Sequence, residues 1–320
     1  MAEQIELWQL QQRQAMPLWM KEEYTKKRII DWYDFCEGKV YVGFSGGKDS
    51  TVLLHQVRKI YPDVPAVFCD TGLEYPEIRE FVKTIDNVVW LKPRIKFNEV
   101  ISIYGYPVVS KKVSRSIADF QNAHDGNIST RNLSLTGITK DGRSCPSRKL
   151  SKKWVKLINA PFKISDKCCN VLKKEPSKCY EKESGNLPIL GIMANESRDR
   201  TKQYLKQGCN SFFSKTHKMS MPMAFWMEND IWDYIKKYNV KYSSIYDKGE
   251  SRTGCIFCMF GVHMDGIPNR FQRLKILHPK LYDYCINDLG IGKCLDYINV
   301  PYGDYEVDKI DNYKQQAMEL

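Results

Sequence analysis

The sequence predicts an α/β protein in which a parallel sheet is flanked by helices. The basis is a series of short β-branched and aromatic runs of strand length, separated by amphipathic helical patterns. A glycine-rich loop stands where the first of these runs ends. Strands that alternate with helices are typical of parallel βαβ units. With 320 residues, the chain is long enough for one large domain or two modest ones.

The elements are predicted in the following order. Residues 1–37 are expected to be helical, with an end at Gly38. Strands are predicted at 39–44, 65–69, 88–91 and 188–193, and helices from Ser50, over 76–84 and around 231–238. Residues 110–160 are predicted to be an insertion with partial helix at 154–158. We therefore expect a helical segment at 1–38, an α/β domain at 39–250, and a Cys-x-x-Cys segment with a helical tail at 251–320 packed on the same domain.

Composition narrows the class of protein. No run of eighteen apolar residues occurs, so no membrane span is expected. The chain begins without a basic segment followed by an apolar core, which predicts no secretory signal and a cytoplasmic location. Eleven cysteines in such a chain are expected to be reduced thiols, with metal binding or chemistry as their special uses.

The net charge of +11 is concentrated in one stretch. Residues 110–167 contain thirteen Lys/Arg and four Asp/Glu, a local excess of +9. Such a run is compatible with a solvated surface. The alternative is a surface that meets a polyanion, with a nucleic acid, DNA or tRNA, as the candidate partner.

Residues 45–50 form a phosphate-binding loop between a predicted strand and a predicted helix. Gly46 and Gly47 allow the backbone to approach an anion, and Lys48 supplies a full charge. The loop is not a Walker A motif. Its first glycine, Gly43, is one residue too close to the Gly47–Lys48 pair, and Asp49 stands where Ser or Thr would hold magnesium. It is not a dinucleotide G-x-G-x-x-G motif either.

The run Ser-Gly-Gly-Lys-Asp-Ser resembles the signature of PP-loop ATP pyrophosphatases, which cleave ATP between the α- and β-phosphates. Later segments are similar to the phosphoadenosine-phosphosulfate reductase-like branch of that group: Asp-Thr-Gly-x-Glu-x-Pro-Glu at 70–77, Glu-Ser-x-x-Arg at 196–200 and Cys-x-x-Cys at 255–258. The resemblance implies a Rossmann-like fold with ATP at the carboxyl ends of the strands.

The site residues follow from these motifs. Lys48, Asp49 and Asp70 are the predicted catalytic residues, and the two carboxylates are the predicted magnesium ligands. Arg198 and Arg200 are candidate phosphate clamps, for which surface salt bridges are the alternative. The full set predicted to bind nucleotide is Ser45, Gly46, Gly47, Lys48, Asp49, Ser50, Asp70, Thr71, Gly72, Met193, Glu196, Ser197, Arg198 and Arg200.

Four cysteines are predicted to form one metal site. The adjacent pair Cys168 and Cys169, followed about 85 residues later by Cys255 and Cys258, is similar to the [4Fe–4S] ligand set of adenosine-phosphosulfate reductases. Zinc bound by the same thiolates is the main alternative, and unligated thiols are the second.

The resemblance is weaker in the tail. Sulfonucleotide reductases use a cysteine nucleophile in a C-terminal Glu-Cys-Gly-Leu-His-type segment, and neither Cys285 nor Cys294 lies in such a segment. We therefore expect an ATP pyrophosphatase that adenylates a substrate for sulfur transfer, with a cysteine desulfurase as a candidate sulfur donor. The alternatives are a phosphoadenosine- or adenosine-phosphosulfate reductase using Cys285 or Cys294, and a non-catalytic iron–sulfur subunit that binds nucleotide and nucleic acid.

Overall fold

The structure is a computed structural model that describes residues 5–214 and 218–305. The predicted helix at residues 1–4 and the tail from residue 306 lie outside the described residues. In chain order the helices are α1 Leu7–Gln14, α2 Leu18–Phe35, α3 Lys48–Ile60, α4 Pro76–Lys83, α5 Phe97–Ile103, α6 Lys111–Gln121, α7 Ile128–Thr136, α8 Glu175–Ser184, α9 Arg198–Gln207, α10 Glu228–Tyr238, α11 Arg270–Leu277, α12 Pro279–Asp283 and α13 Ile291–Tyr297. The strands are β1 Val40–Gly43, β2 Ala66–Cys69, β3 Val88–Leu91, β4 Val108–Val109, β5 Leu187–Leu190 and β6 Met259–Phe260.

The chain divides into two compact units, each made of two segments of sequence. The first unit comprises residues 1–93 and 173–253, and the second comprises residues 94–172 and 254–320. The domain boundaries expected from the sequence, near residues 38 and 250, stay a prediction. Within the described ranges, every helix is too short or too polar to cross a membrane.

The first unit contains the predicted parallel sheet. Its strand order is β3-β2-β1-β5, and every neighbouring pair is parallel. This confirms the α/β fold with a parallel sheet flanked by helices. The chain runs from β1 to β3 on one side and places β5 on the other, so the order reverses at β1. Open sheets of this type bind ligands beyond the carboxyl ends of the strands at such a point.

The strands are short, and β1 and β2 are mostly buried, as expected where helices cover a parallel sheet, whereas the edge strand β3 is half-buried. Val40, Val42, Ala66 and Phe68 are all buried, and Val57 of α3 packs in the same core. These residues account for the nearly continuous apolar runs that identified the strands in the sequence.

The second unit contains a small parallel pair and a set of helices. Strand β4 pairs with β6, with Val108 opposite Met259. A 3-10 segment, Lys152–Asn159, lies where partial helix was predicted.

Within residues 110–160 helix was predicted only at 154–158, and this was wrong for the first part of the segment, because α6 and α7 are regular helices. Ser110 caps α6 by accepting a hydrogen bond from the Val113 amide at 3.2 Å. The buried face of α6 carries Ser114 and Ser116 beside Ile117. Because two of these residues are polar, the apolar periodicity that marks a helix is weak there.

Candidate functional site

The glycine-rich loop lies between the end of β1 and the start of α3 in the first unit. Gly46 has φ +72°, and a Cβ atom there would lie 2.8 Å from side-chain carbons of both Ile78 and Val82. Both the backbone conformation and the available space therefore require glycine. Helix α3 begins at Lys48 with Gly47 as its N-cap. Its first turn consequently offers amide donors to an anion at the loop.

Two serines close the loop on itself. The Ser45 amide donates to Ser50 Oγ at 3.2 Å, and the two hydroxyl oxygens lie 3.1 Å apart. The Gly47 amide donates to Ser45 Oγ at 3.3 Å, while Ser50 Oγ donates to the Gly47 carbonyl at 2.9 Å. These bonds hold the loop in one shape, so a ligand would meet a preformed backbone.

Lys48 is buried, with 4% of its surface exposed. Its Nζ donates to the Ser251 carbonyl at 3.0 Å and lies 3.1 Å from Glu228 Oε1. The same ammonium stands over the rings of Tyr246 and Trp232, at 5.4 and 5.9 Å from their centroids. The charge of this lysine is thus compensated within the protein, and an incoming phosphate would have to replace Glu228.

Asp49 presents a carboxylate oxygen beside the loop. Its Oδ1 is buried and has no hydrogen-bond partner among the described residues, although Lys48 Nζ is 4.0 Å away. Burial raises the pKa of Asp49, and Glu196 and Glu228 also raise it, whereas Lys48 lowers it. A buried, unpaired acceptor is rare in folded proteins and favours a bound cation. The residue therefore fits a magnesium ion, which prefers carboxylate oxygens.

Asp70 lies at the same sheet edge, directly after β2, but it is already engaged. Its Oδ2 accepts from Arg79 Nη2 at 2.9 Å, and its Oδ1 accepts from the Gly72 amide at 3.3 Å. The next residue, Thr71, donates through its amide and hydroxyl to the Glu74 carboxylate at 3.0 and 2.8 Å. Of the two carboxylates predicted to bind magnesium, Asp49 has the better placed free oxygen.

The segment after β5 contains Met193, Glu196, Ser197 and Arg200. The Met193 amide donates to Glu196 Oε1 at 2.9 Å, and Ser197 Oγ caps α9 by accepting from the Arg200 amide at 3.3 Å. The Arg200 guanidinium forms an ion pair with Glu196 Oε2, to which Arg252 Nη2 also comes within 3.8 Å. Arg200 is thus in the salt bridge that was the alternative to a phosphate clamp.

Gly191 brings this segment against the phosphate loop. A Cβ atom at Gly191 would lie 3.2 Å from the backbone of Asp49 and Ser50. Arg198, the first residue of α9, is exposed to solvent. Its position leaves its guanidinium accessible, and its role as a phosphate clamp remains a prediction.

Several residues around the loop were missed by the sequence analysis. Tyr246 Oη accepts from the Lys48 amide at 2.8 Å and lies 3.0 Å from Thr253 Oγ1. Trp232 packs edge-to-face on Tyr246, with ring centroids 5.6 Å apart. These residues and Glu228 lie on or after α10, about 180 or more positions from the loop, and carry no spacing signal. Only the tertiary fold brings them to Lys48.

The four predicted metal-binding cysteines belong to the second unit. Cys168 and Cys169 have Sγ atoms 3.9 Å apart and immediately precede a π-helical turn at Asn170–Lys174. A hydrogen bond with Cys169 and burial raise the pKa of Cys168, and the negative charges of Cys169, Cys258 and Cys255 raise it further. Burial and the charge of Cys255 raise the pKa of Cys258 to about 11. The four thiols are therefore close enough to repel one another when ionised.

This donor set fits a group that binds through thiolates. A bound cation would remove the repulsion among the sulfurs and stabilise their deprotonated forms. Across the described ranges, no three Cys, His, Asp or Glu side chains already stand in a metal-binding arrangement. By the chemistry of its donors, the set fits both a [4Fe–4S] cluster and a zinc ion.

The loop with Cys255 and Cys258 is anchored by Arg270. Its Nη1 donates to the carbonyls of Cys258 and Phe260 at 3.2 and 3.0 Å, and its Nε donates to Asp265 at 2.7 Å. The Phe260 amide also donates to the Cys258 sulfur. The guanidinium thus fixes the backbone that carries two of the four thiols.

Together, the sheet and the loop define a nucleotide-binding α/β protein whose phosphate loop follows the first strand. A family model described as "Phosphoadenosine phosphosulfate reductase domain" matches residues 39–109 and 133–260. Because the match covers more than half of the sequence, the chain belongs to this family. The resemblance inferred from the motifs is confirmed.

Two relatives of known sequence are similar to this chain. The chain is 28% identical over 277 residues to an uncharacterized protein of Methanocaldococcus jannaschii, MJ0973, with 84% of this chain and 52% of that protein covered. It is 22% identical over 260 residues to an adenosine 5'-phosphosulfate reductase of Bacillus cereus, covering 77% of this chain and 85% of that enzyme. The chain spans about half the length of the archaeal relatives it matches.

Two solved structures are similar at low sequence identity. A phosphoadenylyl-sulfate reductase of Candida auris in complex with phosphate has a TM-score of 0.42 and 15% identity, covering 80% of this chain and 98% of its own. The U34-tRNA thiolase NcsA of Methanococcus maripaludis, with its [4Fe-4S] cluster, has a TM-score of 0.37 and 14% identity, covering 91% and 86%.

Proposed function

We propose that this chain is an ATP pyrophosphatase that transfers AMP from ATP to an acceptor, releases pyrophosphate, and prepares the acceptor for sulfur transfer. One observation carries the proposal: a preformed phosphate loop holds buried Lys48 next to Asp49, whose Oδ1 has no hydrogen-bond partner in the described chain. A cation beside an unpaired carboxylate suits a metal-bound triphosphate.

The proposed reaction breaks one bond and forms one. A nucleophile of the acceptor attacks the α-phosphorus, the α–β bridging P–O bond breaks, and pyrophosphate leaves with the electron pair. Lys48 moves from Glu228 to the phosphates, and the first-turn amides of α3 hold the leaving group. Magnesium held by Asp49 would offset the charge on that leaving group.

The second step that we propose, sulfur transfer, involves the four cysteines of the second unit. Cys168, Cys169, Cys255 and Cys258 would hold a [4Fe–4S] cluster that binds or delivers sulfur, with a cysteine desulfurase as the donor. Anaerobic purification should give a coloured protein with about four iron and four sulfide ions per chain. Cys258→Ser should lose this iron, whereas Cys179→Ser, at an exposed free thiol, should keep it. A colourless protein with one zinc per chain would contradict the cluster.

The acceptor that we propose is a nucleic acid, DNA or tRNA. The support is the net charge of +9 over residues 110–167, which includes the lysine-bearing first turn of α6. A polyanionic acceptor would be drawn to this part of the second unit.

The alternative of a sulfonucleotide reductase is disfavoured by the two cysteines that it would use. Cys285 and Cys294 are fully buried. Burial raises the pKa of Cys294 to about 12 and raises the pKa of Cys285 further. A reductase needs an accessible thiolate to attack the substrate sulfur, and neither side chain offers one.

Labelled substrates separate the candidate functions. With ATP labelled in the α- and γ-phosphates, the proposal predicts that the α-label is transferred to the DNA or tRNA and that the γ-label is released as pyrophosphate. Sulfite released from a labelled sulfonucleotide in the presence of thioredoxin would instead establish a reductase. Absence of both products, together with tight and salt-sensitive binding of nucleic acid, would establish a non-catalytic binding subunit.

A further inference from the structure

The second unit contains a cavity of about 640 Å³ beside the start of α6 and the loop after β6. This volume lies within the range of about 300–1,000 Å³ that is typical of small-molecule sites. Its walls come from three stretches of sequence, around residues 109–113, 149–154 and 260–264. These stretches belong to the second unit, whereas the phosphate loop belongs to the first.

The interior of the cavity is largely apolar and contains flat rings. Trp154 is buried and lines it together with Phe260, and His263 contacts Trp154 edge-to-face at a centroid distance of 5.1 Å. Lys153 Nζ lies 4.8 Å from the centroid of the Trp154 ring. The outer wall includes Met264, which is 75% exposed. Rings and a thioether of this kind suit a flat aromatic ligand.

The rim of the same cavity is positively charged. Lys111, Lys112 and Lys149 line it, and all three side chains are exposed. Every lining residue belongs to the described chain, and the lining contains no Asp or Glu. The Lys112 ammonium donates to the Ser147 carbonyl, which holds this lysine at the edge of the cavity.

The positive surface continues around α6. A second cavity of about 200 Å³ shares Lys111 and Lys112 and adds Arg115 and Arg148 to its lining, with Asp119 as its acidic residue. Arg115 is partly neutralised by Asp166, which accepts from its Nη2 at 2.7 Å. The two neighbouring cavities are thus both lined by cationic side chains, which suits a chain of phosphates.

We infer that the larger cavity receives one unpaired base of a nucleic-acid strand, while the phosphates that flank this base lie on Lys111, Lys112 and Lys149. The apolar interior with its aromatic rings suits the base of a nucleotide, and the cationic rim suits its phosphates. The inference rests on the proposed function in taking a nucleic acid as the acceptor, and it specifies that the accepting nucleotide is out of the stack.

The position of the cavity connects it to the cysteines. Phe260 lines the cavity, and its amide donates to the sulfur of Cys258. Gly261, His263 and Met264 of the lining follow this cysteine within six positions. A base in the cavity would therefore lie against the segment that directly follows Cys258 in the chain.

The test is fluorescence anisotropy with the full chain, without ATP, and with a labelled duplex that contains one bulged nucleotide. The wild type should bind this duplex about tenfold more tightly than the same duplex with an abasic bulge. Met264→Ala, a change at an exposed side chain, should reduce this ratio. Equal binding of the two duplexes by the wild type would overturn the inference.

The lysines are tested with a charge-matched pair of variants. Lys111→Gln/Lys149→Gln should weaken binding about tenfold and lower the salt-dependence slope by about two. Lys178→Gln/Lys182→Gln removes the same charge at exposed residues of α8, outside residues 110–167, and should change both values less. Equal losses of affinity in the two double variants would overturn the inference. Displacement of the bound duplex by polyglutamate that carries the same total charge would also overturn it. Since no ATP is present, a failure of ATP cleavage would leave this result unaffected.

Discussion

Replacement of Glu228 by glutamine should tighten the binding of ATP, because the Glu228 carboxylate forms an ion pair with the Lys48 ammonium, and the phosphates of ATP would have to displace it. Glu228 Oε1 lies 3.1 Å from Lys48 Nζ, and its side chain is 55% exposed. Two unit charges at this distance attract by roughly 5 kcal/mol at an effective dielectric constant of about 20. Solvent screening and side-chain entropy reduce the net value of an exposed pair to about 0.2–1 kcal/mol.

Because Lys48 itself is buried, we expect a value in the upper part of this range, which corresponds to a two- to fivefold lower Kd at about 0.4–1 kcal/mol. Isothermal titration calorimetry with magnesium and α,β-methylene ATP measures the change. Asp233→Asn is the matched control, since it removes one charge from an exposed residue of the same helix. Weaker or unchanged binding by Glu228→Gln would refute the reasoning and would make Glu228 a part of the nucleotide site.

Three further predictions concern stability. Gly46→Ala should lower the free energy of unfolding by about 2–4 kcal/mol, because it combines a left-handed φ with a steric clash. Gly185→Ala, at the same φ of +72° but in open space, should cost about 1 kcal/mol, and equal costs would contradict the clash. Asp230→Ala leaves the buried ammonium of Lys21 without its partner and should cost about 3–5 kcal/mol in urea denaturation; a cost below 1 kcal/mol would contradict this. Burial lowers the pKa of His55 below 6.5, so the unfolded chain takes up its proton first. Stability should therefore fall as the pH drops through 6.5 towards the pKa in the folded state, and His55→Gln should lose less stability than the wild type between pH 7.5 and 5.5.

The parallel sheet could be predicted because its strands are apolar runs of strand length, of which β1 and β2 are mostly buried. β1, β2 and β3 begin or end within one residue of their predicted positions. The phosphate loop could be predicted for a similar local reason, since Gly46 requires a left-handed backbone and Lys48 opens the following helix. Both features are encoded within a few neighbouring residues.

The surroundings of the loop could not be predicted, because they depend on contacts between distant parts of the chain. Tyr246 reaches the Lys48 amide across 198 positions, and Glu228 approaches the same lysine from α10. The pairing of Asp70 with Arg79 is closer in sequence, yet nothing in the spacing shows that the carboxylate is occupied. Helix α6 escaped prediction because serines form part of its buried face.

The central claim is that Lys48 and its loop support cleavage of ATP between the α- and β-phosphates. Exchange of labelled pyrophosphate into ATP, measured with a nucleic-acid acceptor present, tests it most directly because only reversible α–β cleavage returns the label. The wild type and Lys83→Ala, a change at an exposed lysine of α4, should exchange label at similar rates. Lys48→Ala should lose at least about a hundredfold in rate, as expected when a charge that stabilises the leaving group is removed. Full exchange by Lys48→Ala, or release of ADP and phosphate by the wild type, would contradict the claim.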